Sequence, residues 1–166
     1  MKISQIINHP KFKGDNNMCT LIANSMAFDL DYGWVYDFME KEGREHGKGL
    51  QAWRSKEIIE KIAKKLGYDT KWYDGYELHE MRSNDGGKYM TTANFNNYFA
   101  NGNYILKIKG HAVACVDGKI ADYTNGRKFR IRDVCKIMKD NVKSLTIFEK
   151  FGIKVDNNLT GIINND

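Results

Sequence analysis

Three side chains in this sequence could together perform acyl transfer: the thiol of Cys19, the imidazole of His111 and the carboxylate of Asp122. A cysteine thiolate attacks a carbonyl carbon, an imidazole takes and returns the proton, and a carboxylate holds that imidazole in one tautomer and orientation. Local pattern brings the last two together. Gly110-His111-Ala112-Val113-Ala114-Cys115-Val116-Asp117-Gly118-Lys119-Ile120 reads as two short strands about an Asp117-Gly118 turn, the signal for a two-residue hairpin whose central residues need positive φ. If Val116 pairs with Lys119, Asp122 falls opposite Val113 and Thr124 opposite His111. Alternation then turns His111, Val113, Cys115, Asp122 and Thr124 to one side of the sheet. His111 and Asp122 become diagonal neighbours, roughly 7–8 Å apart at the backbone and within reach of long side chains. Asn125 falls opposite Gly110 and points the other way.

Cys19 opens Cys19-Thr20-Leu21-Ile22-Ala23-Asn24-Ser25-Met26-Ala27-Phe28, where Cys19, Ile22, Ala23 and Met26 recur at the spacing of one helix face. Just upstream, Gly14-Asp15-Asn16-Asn17 breaks regular structure and offers N-cap side chains. The pattern predicts a thiol in the first turn of a helix. There, free N–H groups and the positive end of the dipole can pull its pKa from about 8.5 into a range of about 3.5–7.5. Cys115, inside the apolar hairpin, reads as core, and Cys135 has no His near it in sequence. His9, His46 and His79 fall in polar or turn-rich contexts that predict surface placement.

Asn17-Met18-Cys19 at the start of a helix, the Gly110 to Gly118 segment and Ala121-Asp122, in the order Cys, His, Asp, resemble the papain-like cysteine peptidase superfamily, especially its small bacterial and phage members. The resemblance spans residues 16–122. It implies Cys19 as nucleophile, His111 as base and Asp122 as the orienting residue, which is Asn in many relatives. Many relatives also carry a Gln upstream of the Cys that helps form the oxyanion hole. Lys13 stands there in this chain, so Asn17 or Asn16 is expected to substitute, with the Asn17 amide and the Cys19 N–H steadying the oxyanion. The implied activity is cleavage of a peptide or isopeptide bond in a peptide or protein substrate through a thioacyl-enzyme. Amidases and transglutaminase-like acyl transferases use the same apparatus. The alternative expectation, which Lys13 favours, is a catalytically inactive papain-like fold acting as a binding or virion-associated phage protein.

The remaining elements must position these groups. Asp31 caps a helix with Trp34, Val35, Phe38 and Met39 on one face, stopping at Gly43, and residues 43–49 read as an exposed loop. Ser55 reads as the cap of a third helix, with Ile58, Ile59, Ile62, Ala63 and Leu66 inward and Gly67 ending it. Residues 68–73 suit a strand, and residues 74–89 read as irregular. Thr92 reads as the cap of a short helix through Phe95, Tyr98 and Phe99. From Tyr104 the period is two; Val134 to Met138 suggests a short helix, and residues 145–155 one or two closing strands. Helices first and an antiparallel sheet afterwards predict an α+β fold. The resemblance implies the papain-like version, with the nucleophile helix packed on the C-terminal sheet.

With 166 residues, 42% of them hydrophobic, and one proline, the chain is expected to form a single domain over residues 1–155 with a polar tail at 156–166. The opening apolar run is too short for a signal peptide and no stretch could span a bilayer, so a cytoplasmic protein, in the host cytoplasm or virion if phage-encoded, is expected. Three cysteines without paired short spacing argue against a disulfide framework or a zinc site, and there is no phosphate-cradling loop or dinucleotide fingerprint. No cofactor, metal or membrane partner is expected. The net charge of +5 suits an acidic substrate or partner without requiring nucleic acid. Lys128, Arg130 and Arg132 read as the wet face of an edge strand rather than as a nucleic-acid site.

Overall fold

The computed structural model describes residues 3–121 and 128–139. Five antiparallel strands form one sheet in the order β1-β5-β2-β3-β4, where β1 is Tyr68–Tyr73, β2 Asn103–Ile108, β3 His111–Val116, β4 Lys119–Ala121 and β5 Ile131–Lys139. Four helices precede the sheet: α1 (Ile3–Ile7), α2 (Cys19–Phe28), α3 (Tyr32–Lys41) and α4 (Ala52–Leu66). A fifth, α5 (Gly75–Ser83), follows β1. The architecture is α+β.

The β3–β4 hairpin has the expected register, with Val116 opposite Lys119, Cys115 opposite Ile120 and Ala114 opposite Ala121. Asp117 and Gly118 take φ of 47° and 76°, as a two-residue turn that follows the strand twist requires. Asp122, Thr124 and Asn125 lie outside the described residues, as do the strands expected at 145–155 and the tail at 156–166.

The sheet separates two apolar cores. On one face Ile105, Ala112, Ala114, Cys135 and Ile137 pack with α2, α3 and α4; on the other Tyr104, Leu106, Val113, Cys115, Ile131 and Val134 pack with Leu78 of α5 and with Phe95 and Phe99. α2 lies within the first core and is not the one-sided helix its spacing suggests. Thr20, Leu21, Ile22, Ala23, Asn24, Ser25, Ala27 and Phe28 are all buried, the pattern of a helix enclosed on every side.

Other elements depart from expectation for identifiable reasons. In α3 the Asp31 carboxylate caps the Trp34 N–H at 2.9 Å as expected, but the buried stripe is Tyr32, Val35, Tyr36 and Met39, while Trp34 and Phe38 stack partly exposed. α4 begins at Ala52, so Ser55 is a buried first-turn residue and not a cap; Gly67 ends the helix at φ 69°. Residues 74–83 form α5 behind a capping box in which Asp74 and Glu77 satisfy each other's backbone N–H groups. Thr92 accepts from the Phe129 N–H, and the short turn Phe95–Asn97 has Asn94 at its N-cap. The segment expected as a short helix near 134–138 belongs to β5, a central strand whose Val134, Cys135 and Ile137 bury against both cores. Arg130 and Arg132 are exposed, but β5 is not an edge.

Candidate active site

The start of α2 meets the start of β3 at the rim of the sheet. Alternation places His111 with Val113 and Cys115, on the face away from α2. His111 is the first residue of β3; its ring lies 5.9 Å from the Phe129 ring, and it acts on the Cys19 thiol through hydrogen bonding and charge. Gly110, at φ 68°, makes the turn into this strand. Cys19 and His111 line one cleft with Asn17, Gly49, Leu50, Ala52, Ser55 and Lys107. Its volume of about 160 Å³ admits one side chain rather than a whole small-molecule ligand.

The half-buried Cys19 thiol is more acidic than an ordinary cysteine. Burial works against ionisation, but the His111 hydrogen bond, the Ala112 N–H and the His111 charge outweigh it, with a further contribution from the Thr20 hydroxyl 3.9 Å away. The other two cysteines behave oppositely. Burial pushes Cys115 up to about 11 and Cys135 up to about 12; both are buried core thiols of low reactivity, as expected of Cys115.

The polar cluster ahead of Cys19 does not cap α2. Met18 is the N-cap residue and no side chain bonds the first turn. The Asp15 carboxylate accepts the Asn17 N–H at 3.0 Å and pairs with Arg44 at 2.6 Å, both side chains almost wholly inaccessible. Burial alone would raise the Asp15 pKa; the Asn17 N–H and the Arg44 guanidinium reverse that and hold it below the usual carboxylate range. Arg44 also donates to the Asn17 carbonyl at 3.1 Å, and the Asn17 amide donates to the Gly47 carbonyl at 2.5 Å. The 43–49 loop, expected to be exposed, is thus anchored by a buried ion pair to the residues that introduce the nucleophile. His46 joins from outside, 2.7 Å from the Tyr36 hydroxyl and 3.8 Å from Asp15.

Of the expected site residues, Cys19 and His111 are in contact and Asn17 borders the same cleft, its amide already bonded to Gly47. Lys13 is exposed and does not line the cleft. Lys107 and the Asp15–Arg44 pair went unforeseen. Lys107 carries a readable signal, a lone cation within the apolar strand 104–108, whereas nothing local marks Arg44. Among the described residues no His, Cys, Asp and Glu cluster could hold a metal ion, and no helix is long and apolar enough to cross a membrane. No family model matches this chain, and no curated protein and no solved structure matches it.

Proposed function

We propose that the protein is a papain-like cysteine hydrolase that cleaves a peptide, isopeptide or related amide bond. The observation that carries this reading is the Cys19 thiol, acidified at an uncapped helix start and hydrogen-bonded to His111 in an open cleft. In the ground state Cys19 is the thiolate and His111 the imidazolium. The sulfur forms a bond to the substrate carbonyl carbon, whose π pair moves to oxygen; the Cys19 N–H, with the Asn17 amide, stabilises that oxyanion. When the oxyanion collapses, the carbon–nitrogen bond breaks and His111 gives its proton to the departing amine. His111, now neutral, takes a proton from water, whose oxygen attacks the thioester; the acid leaves and the thiolate–imidazolium pair returns. Asp122 orients the imidazole throughout.

The experiment is covalent capture with a peptidyl vinyl sulfone, followed by intact-mass analysis. The reading expects one adduct, on Cys19, absent from Cys19→Ala and strongly reduced in His111→Ala. A protein that folds and stays unlabelled would instead fit the idle binding-protein reading.

A further inference from the structure

Resting on the cysteine-hydrolase reading, we propose that Lys107 makes the cleft beside Cys19 a carboxylate subsite, so that the acyl donor carries an acidic group next to its reacting carbon. Lys107 and Ala112 are cross-strand partners, which sets their Cβ atoms about 4.5–5.5 Å apart on one face of the sheet. Ala112, Lys107 and Cys19 line the same cleft. The Lys107 stem therefore rises beside the nucleophile, on the face that α2 and α4 cover.

The Lys107 ammonium is held at the mouth of α4, donating to the Ala52 carbonyl at 2.5 Å. An ammonium has three donors; one goes to Ala52 and the Trp72 ring lies 5.9 Å from the nitrogen, which leaves donor capacity for a ligand. Gln51, the N-cap of α4, makes no side-chain cap bond, and the free N–H groups of that first turn add positive potential to the same spot. None of the described residues lining the cleft is an Asp or Glu. Asp133 faces Lys107 from β5 and Lys56 stands near it, but Lys107 forms no ion pair among the described residues. A partly desolvated cation without an anionic partner, next to a nucleophile, is a place built for an incoming anion.

Two small alkylating agents test this without knowledge of the natural substrate. Iodoacetate and iodoacetamide react alike, a sulfur–carbon bond forming as the carbon–iodine bond breaks and iodide leaves. Only iodoacetate carries a carboxylate on the reacting carbon. The rate of each at Cys19, followed by peptide mass mapping at pH 7 and low salt, gives a ratio from which general thiol reactivity cancels. The iodoacetate-to-iodoacetamide ratio at Cys19 is expected to exceed that of N-acetylcysteine, to fall about three- to tenfold in Lys107→Met, and to return in Lys107→Arg. A ratio that is the same in the wild-type protein and Lys107→Met overturns the subsite. If both reagents attack Cys19 no faster than N-acetylcysteine, the hydrolase reading fails, while the ratio still reports whether Lys107 favours the anion.

Discussion

At the scale of single residues, the proposed chemistry would have Cys19 depend on His111 in two separable ways, as the partner that acidifies the thiol and as the carrier of the proton. Both need the ring held against free rotation. Asp122 is the group expected to hold it, because the observed pairing of Ala114 with Ala121 preserves the register on which its placement depends. Asp122→Ala is predicted to lower turnover about 10²- to 10⁴-fold while leaving the fold intact. Asn125→Ala is predicted to be nearly silent, since one step along a strand exchanges the two faces. Turnover measured in both variants decides the point: a silent Asp122→Ala beside a crippled Asn125→Ala would require an odd shift in register beyond Ala121. Cys19 and His111 were legible because each lies in a short, self-sufficient pattern, a helix start and a hairpin. Lys107 carries a local signal, a lone cation in an apolar strand, but its place beside the cleft follows from its cross-strand partner Ala112 and is apparent only when β2 and β3 are paired.

At the scale of elements, the Asp15–Arg44 pair ties the approach to α2 to the loop forming one wall of the cleft. The two residues are 29 apart in sequence, and this separation is why the Gly14-Asp15-Asn16-Asn17 cluster was read as a source of N-cap side chains: the local pattern suits a cap, but a distant guanidinium takes the Asp15 carboxylate. The α5 capping box, Asp74 with Glu77, was by contrast present in the sequence and overlooked. Arg44→Met would leave a buried, uncompensated carboxylate, at a cost of about 3–5 kcal/mol. The pH dependence follows from the sign of the Asp15 shift. In the wild-type protein the Asp15 pKa is depressed on folding. Its contribution is therefore fully present above the unfolded value, about 3.9, and is lost as pH falls through the folded value. Without Arg44 only the Asn17 N–H and the His46 charge oppose burial, so the depression of the Asp15 pKa shrinks and the deficit of Arg44→Met relative to the wild-type protein is expected to grow as pH rises from acid toward about 7. Urea midpoints across that range test this. A variant whose deficit is independent of pH would mean that Asp15 is not carrying the charge.

At the scale of the whole molecule, the sheet divides the structure into a core that seats α2 and a core on the opposite face. Leu21, wholly inaccessible, packs with α3 and α4 behind Cys19; Phe95, equally inaccessible, lies across the sheet. Leu21→Ala and Phe95→Ala are each predicted to cost about 2–5 kcal/mol by leaving a cavity. Only Leu21→Ala is expected to slow Cys19 alkylation in the molecules that remain folded, because α2 can then shift against β3. Equal slowing in both variants, after correction for the folded fraction, would mean that the site senses overall stability rather than the seating of α2. The α+β arrangement and the hairpin register were readable from periodicity and turn chemistry. The central position of β5 was not, because a buried strand flanked on both sides loses the clean alternation of a half-exposed one.

A reactive Cys19–His111 ion pair, on which the proposed chemistry depends, is tested by the pH profile of Cys19 alkylation by iodoacetamide. The rate should remain high in mildly acidic solution, with a midpoint below that of an ordinary thiol, because the hydrogen bond and charge of His111 outweigh burial. In His111→Ala only burial and the weaker donors remain, so the midpoint should rise and the acidic limb disappear. A wild-type profile matching that of a simple thiol, unchanged in His111→Ala, would exclude the ion pair.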